Sequence, residues 1–417
     1  MPRFDPFSFK RRELRNGIPV YANLGFPVEA VVIALIFFAG SRDEEPGTEG
    51  SAHFMEHMPF RGTERFLNQK SLSAPIEDRG GVLNAFTSSE HIVFWAKTAP
   101  EDIRYATDAL GEMAWHARFR PKDFAEERAI VIQEYVGNIA DVTTMVAKTC
   151  YAELFRGHPL ARMPLGELTA LKTMELKDVR SFYERHIRQN SFALAVLGGA
   201  EECPVFDALE KRFGAFRPER ILRRVPAAPP EARAARLIVV DEPYSASAFF
   251  MAAPTFPFGD GRRLVAARVL ECMAGSGLSA PLVLALRERE NLVYSFHFQY
   301  DGWSDAGAFE FGALTKFAYT DRLIDAFFRA LHRLKGDRAR LLAAKKLILK
   351  RDRMADVKIG TAFEEFIEYA SVGLEPVSRE TRHAYINAVT MDEIDELITR
   401  ELARERFTQV VVKGQAD

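Results

Sequence analysis

The chain runs to 417 residues, 47% hydrophobic and 27% charged, with a formal net charge of −2. That is the make-up of a globular protein with room for two or more cores, and it leaves no basic footprint for nucleic acid. The longest apolar run, Val28 to Ala39, contains Glu29 and is too short to span a bilayer, so no membrane-crossing segment is expected.

Three cysteines (Cys150, Cys203 and Cys272) lack metal-type spacing and read as reduced, buried thiols. The start, Met1-Pro2-Arg3-Phe4-Asp5, carries no apolar leader. A cytoplasmic location is therefore expected, with periplasm or organelle open only to a processed chain.

In chain order, Asn16-Gly17 predicts a hairpin between strands 8–15 and 18–24. A core strand at 28–39 follows, then a helix near 49–66 and two strands within 82–98. Helices are expected near 101–117, 121–139, 146–156 and 170–185, then a strand at 191–198 and a helix at 202–213. The stretch from Arg217 to Ala235, with Pro218, Pro226, Pro229 and Pro230, reads as a linker, taken as 218–235. Beyond it the plan repeats. Strands at 236–241 and 245–253 lead to helices at 261–275 and 279–290 and strands at 293–301 and 305–314. Helices near 319–334, 337–355, 360–372, 376–386 and 391–404 precede a last strand at 407–413. The fold class is α+β: two similar domains, 1–217 and 236–417, each a mostly antiparallel sheet with helices packed on it.

The segment His53-Phe54-Met55-Glu56-His57 carries the chemistry. On a helix, His53 and His57 at i and i+4 leave one face a turn apart, as two ligands of one metal ion require. Glu56 borders that face and can reach a metal-bound water without taking a coordination position. This is the two-histidine, one-carboxylate motif in its inverted order, His-x-x-Glu-His. A solvated surface helix would show the same letters, so a third ligand matters. The helix from Pro121 to Tyr135 offers Glu127 and Glu134, two turns apart on one face. Glu134 follows Ile130-Val131-Ile132, an apolar setting in which a buried carboxylate needs a positive partner. The same helix with its acids in water is the alternative.

These blocks resemble the pitrilysin/insulinase-type metallopeptidases, the inverzincins, and in particular their two-domain branch that includes mitochondrial processing peptidase and its bacterial homologues. The resemblance rests on Gly40-Ser41-Arg42-Asp43-Glu44, Gly50 through Met58 and Phe60-Arg61-Gly62-Thr63. It continues in Gly80-Gly81-Val82-Leu83-Asn84-Ala85-Phe86-Thr87, Glu127 through Glu134, His158-Pro159-Leu160 with Gly166, and Arg287-Glu288 followed by Leu292-Val293-Tyr294-Ser295. It implies one Zn²⁺ per chain on His53, His57 and Glu134, with Glu127 behind them orienting a histidine and Glu56 as the catalytic base. It implies that Arg287 and Tyr294 of the second domain contact the substrate backbone and the developing oxyanion. Where the family commonly has glycine this chain has Asn291, which tolerates the left-handed conformation. Asn84, Ala85 and Phe86 would lie on an edge strand to which an extended peptide adds.

The second half has no counterpart of the metal site: no histidine falls between His186 and His297, and Leu341-Leu342-Ala343-Ala344-Lys345-Lys346-Leu347 has lysines in place of carboxylates. The family implies an endopeptidase acting on peptides or unfolded segments in a chamber between two such units. A homodimer and a heterodimer with a metal-free homologous subunit both remain open. The alternative is a non-catalytic structural or peptide-binding subunit; such a chain should have lost one of His53, Glu56, His57 or Glu134, and all four are present.

Overall fold

A computed structural model describes residues 5–190, 192–217, 236–241, 243–354, 358–372 and 374–415. The expected linker, 218–235, lies outside the described residues.

The first sheet is built from β1 (Lys10–Glu13), β2 (Pro19–Asn23), β3 (Val31–Phe37), β4 (Val82–Thr87), β5 (Ile92–Thr98) and β6 (Phe192–Gly198), in the order β1-β2-β6-β3-β5-β4. Only β2 and β6 run parallel. Sequence decides position: Val-Val-Ile-Ala-Leu-Ile-Phe of β3 and Phe-Ala-Leu-Ala-Val-Leu-Gly of β6 are apolar throughout and buried at every residue, so they sit centrally. The Val-Leu-Asn-Ala-Phe-Thr of β4 buries Leu83 and Ala85 and exposes Val82 and Asn84, as an edge strand does. The Gly17 turn of the β1–β2 hairpin has φ +84°, the left-handed conformation that glycine supplies at no steric cost.

The second sheet contains β7 (Arg236–Asp241), β8 (Ala248–Thr255), β9 (Val293–Gly302), β10 (Gly307–Thr315) and β11 (Thr408–Lys413), ordered β7-β11-β8-β10-β9. Again one pair is parallel, β7 with β11. Strand for strand this repeats β2-β6-β3-β5-β4, so the two halves share one α+β plan.

The helices do not respect the halves. On the first sheet, Val32, Ala34 and Ile36 of β3 and Ala193, Ala195 and Leu197 of β6 pack against Phe363, Phe366 and Ile367 of the helix Ile359–Ser371. On the second, Ala248, Phe250 and Ala252 of β8 pack against Val146, Cys150 and Leu154 of a helix at Val142–Leu154. Val136–Ala161 accordingly belongs with the second compact unit, and the segment ending at Arg379 with the first. The expected boundaries 1–217 and 236–417 are crossed twice, because periodicity identifies an apolar helix face but not the sheet that receives it.

Among the described residues, α1 (Ser51–His57), α2 (Gln69–Glu77), α3 (Ile103–Trp115), α4 (Pro121–Ile139) and α5 (Val142–Leu154) are the first five α-helices. The motif helix expected over 49–66 is shorter: Pro59 follows α1 in a 3₁₀ turn, Met58–Arg61. No helix was expected over α2, whose signal is an Asn68–Ser71 capping box obscured by Pro75 in its last turn. Cys150 and Cys272 are buried free thiols, but Cys203 is exposed, at the second residue of the helix Glu202–Phe213. No helix of the described residues is long and apolar enough to cross a membrane.

Candidate metal centre

Everything that holds the two histidines comes from the first unit. α1 is capped by Gly50, whose φ of +108° strains any residue with a side chain. In front of it Glu44 is buried, and its Oε1 accepts the amide N–H groups of Gly50 at 3.0 Å and Ala52 at 2.8 Å. Two of the helix's orphan donors are thereby satisfied. Phe54, Met55 and Met58 are fully buried, which turns His53 and His57 outward together. Their rings stand 4.6 Å apart at 87°, with the two Nε2 atoms 3.1 Å from each other.

α4 brings the carboxylates. Phe124, Val131 and Tyr135 are buried, and Phe124 stacks obliquely on Phe54 at 5.2 Å, fixing α4 against α1. Glu134 then presents Oε2 at 3.6 Å from His53 Nε2 and 3.5 Å from His57 Nε2. Glu127 lies two turns earlier, with Oε2 at 3.0 Å from His57 Nδ1 and Oε1 accepting from Arg61 Nε. One expectation fails in detail. The Glu134 side chain is 42% exposed, not enclosed, because neighbouring Ile130 and Val136 also face solvent.

Does the donor set suit a metal? His53, His57 and Glu134 are the group of metal-capable side chains found among the described residues, with donor atoms within 4.8 Å of one another. Ligands about 2.0–2.1 Å from one tetrahedral ion stand about 3.3–3.4 Å apart. The observed separations of 3.1, 3.5 and 3.6 Å bracket that edge length. Two imidazole nitrogens and one carboxylate oxygen are a zinc set, and three protein donors leave a fourth position.

The electrostatics divide the histidines. Burial, reinforced by the charge of His57, pushes His53 down to about 4, so the ring is neutral near pH 7. Burial pulls His57 the same way, but the Glu127 hydrogen bond and the charges of Glu134, Glu56 and Glu127 outweigh it and hold it above its ordinary value. Burial also opposes ionisation of Glu127, yet its bonds to His57 and Arg61 keep it below the usual carboxylate range. Glu56 is raised by burial and by the charge of Glu134, against hydrogen bonds from the side chain and backbone of Thr87.

Thr87 ends β4, so the strand that borders the site also touches Glu56. Within β4, Asn84 is exposed and its Oδ1 accepts the Ala85 N–H at 2.8 Å. Ala85 turns its methyl inward and can offer a ligand only its main chain; Phe86 is half-buried against His91. Arg287 and Tyr294 belong to the second unit. Arg287 Nε donates to Glu288 Oε1 at 2.9 Å, and Tyr294 is 87% exposed near the start of the edge strand β9. Asn291 has φ +50° and is the one non-glycine residue with positive φ among the described residues.

Three contributors escaped the sequence reading. Thr87 was signalled only by adjacency to Asn84-Ala85-Phe86. Arg61 and Glu44 touch the site through contacts that no local pattern announces.

Comparison with known proteins adds the following. Residues 26–167 match the family model described as insulinase, peptidase family M16, and residues 173–347 match the peptidase M16 inactive domain. A protein of Rickettsia felis called an uncharacterized zinc protease is 24% identical over 370 residues, 88% of each chain. The beta subunit of the mitochondrial-processing peptidase of Caenorhabditis elegans is 30% identical over 260 residues, 61% of this chain and 56% of its own. A crystal structure of a protease from Helicobacter pylori superposes with a TM-score of 0.86 at 19% identity, covering 98% of this chain and 100% of that one. A putative M16-like peptidase from Alicyclobacillus acidocaldarius gives 0.84 at 16% identity with full coverage of both chains.

Proposed function

Because this chain belongs to the insulinase family of peptidases, family M16, we propose that it is a zinc-dependent endopeptidase cutting peptides or unfolded polypeptide segments. What supports the reading is the convergence of His53, His57 and Glu134 within 4.8 Å, with Glu56 alongside. One Zn²⁺ per chain would be held by those three side chains, and when bound would polarise the scissile carbonyl and acidify a water.

The protein's own groups do the rest. Glu127 accepts the Nδ1–H of His57 and so turns the Nε2 lone pair toward the metal position. Glu56, raised by burial and steadied by Thr87, takes a proton from the attacking water and gives it to the leaving amine as the C–N bond breaks. An extended substrate pairs its main chain with the open edge of β4, beside Asn84, Ala85 and Phe86. Arg287 and Tyr294 are proposed as substrate-contacting donors. The working particle is a pair of two-domain units around a chamber, either two copies of this chain or this chain with a metal-free homologous subunit, and its proposed location is cytoplasmic.

The test is cleavage of an unstructured peptide with and without a chelator, alongside metal analysis of variants. Glu56→Gln is expected to keep its zinc and lose turnover by at least about 100-fold. His53→Ala and Glu134→Gln are expected to lose the zinc as well. Zinc-dependent cleavage at the wild-type rate by Glu56→Gln would refute the role of Glu56. Stoichiometric zinc without any cleavage would favour a non-catalytic subunit.

A further inference from the structure

The two helices that carry the candidate ligands need a fixed mutual position, and one residue of the turn after α1 ties that turn to α4 twice. Arg61 closes the 3₁₀ turn that follows α1. Its Nε donates to Glu127 Oε1, and its Nη1 stands 3.6 Å from Glu126 Oε2, so its side chain is tied twice to α4. Its main chain is tied as well: Arg120, just before α4, donates from Nη2 to the carbonyl oxygens of Arg61 at 3.0 Å and Leu67 at 3.2 Å. The Arg118 N–H reaches the Gly62 carbonyl at 2.9 Å.

Glu127 is the pivot of this arrangement. It is buried, with 5% of its surface exposed, and its two oxygens have separate duties: Oε1 takes Arg61 and Oε2 faces His57 Nδ1 at 3.0 Å. A buried carboxylate with one oxygen stranded is driven to another rotamer, because the missing bond leaves a full desolvation penalty. The guanidinium therefore decides which way Glu127 points, and Glu127 decides which nitrogen of His57 carries the hydrogen.

We propose that Arg61 is a positioning residue that acts through Glu127 to hold His57 as its Nδ1–H tautomer, with Nε2 free toward His53 and Glu134. The proposal rests on the metal reading above, although its first readout needs no metal. Truncating Arg61 opens no core cavity, because the residue lines a solvent-open hollow of about 600 Å³ shared with Asn68, Lys70, Glu77 and Arg120.

The experiment compares wild type with Arg61→Met, Arg61→Lys and Glu126→Gln. Two-bond proton–nitrogen correlation spectra of the metal-free, nitrogen-15-histidine protein at alkaline pH report the His57 tautomer. Chelator competition reports zinc affinity. Wild type is expected to show the Nδ1–H form. Arg61→Met is expected to lose that preference and bind zinc about 10-fold more weakly, the low end of the usual effect of such partners. Arg61→Lys, which keeps the charge but not the planar fork, should recover part of both, and Glu126→Gln should match wild type. If Arg61→Met fails to fold, the lysine variant carries the comparison, with a shifted tautomer population as the supporting result.

An unchanged tautomer in Arg61→Met overturns the proposal, even if affinity falls, because the loss would then come from general loosening. A wild-type protein that binds no zinc would overturn the metal reading alone; the tautomer comparison would still decide the role of Arg61.

Discussion

Glu44 is the residue on which the start of α1, the helix of the two histidines, depends. Burial pushes its carboxyl up to about 8, against the two backbone N–H bonds and the charge of Arg162, which favour the ionised form. A carboxyl whose folded value lies above its unfolded one stabilises the fold fully only below the ordinary carboxylate range. That contribution is lost as pH rises through about 8. Glu44→Gln keeps an acceptor for Gly50 and Ala52 but cannot ionise. Its melting temperature relative to wild type should therefore climb between about pH 5 and pH 9. A difference that stays flat across that range would mean Glu44 ionises normally.

At this scale the readable part of the site was the part encoded by spacing. His53, Glu56 and His57 lie within one turn, so helix periodicity alone sets them side by side. Glu127 and Glu134 share a face of α4 for the same reason, but their meeting with α1 came from family resemblance. The partnership of Arg61 with Glu127 spans 66 positions and has no periodic signature. The apolar neighbours of Glu134 suggest burial, whereas Ile130 and Val136 are on the solvent side of the helix.

Among the elements, strands were the most legible, because a run such as that of β3 has no alternative to the interior. Helix partners were the least. The helix Ile359–Ser371 shows a clear apolar face, yet nothing in it names the first sheet as its receiver. There Phe366 is fully buried and lies 4.6 Å from the ring of Phe9 and 5.3 Å from that of Tyr21. Phe366→Ala should lower unfolding stability by about 3–5 kcal/mol in denaturant titrations. Leu342→Ala, on an exposed helix surface, should stay within about 0.5 kcal/mol. Equal effects of the two would mean that Ile359–Ser371 is not part of the first core. α2 was missed for a different reason: Pro75 reads as a helix breaker, but sits late in an element already started by the Asn68 cap.

For the molecule as a whole, the repeated strand order is a duplicated plan, and among the described residues the metal-capable group lies in one copy. In the second half, the helix Arg338–Met354 carries Lys345, whose Nζ donates to the backbone carbonyls of Asn387 and Val389. A lysine there holds chain against chain, where the first half directs carboxylates at histidines. If the chamber reading holds, light scattering of the active preparation should return a mass of two such chains or of this chain with a partner of similar size; full activity from a monomer would remove the chamber.

The most direct measurement is anomalous diffraction at the zinc absorption edge from crystals grown with the metal. One peak per chain is expected, about 2.0–2.2 Å from His53 Nε2, His57 Nε2 and a Glu134 oxygen. A peak that leaves Glu134 uncoordinated, or no peak at the two histidines, would contradict it.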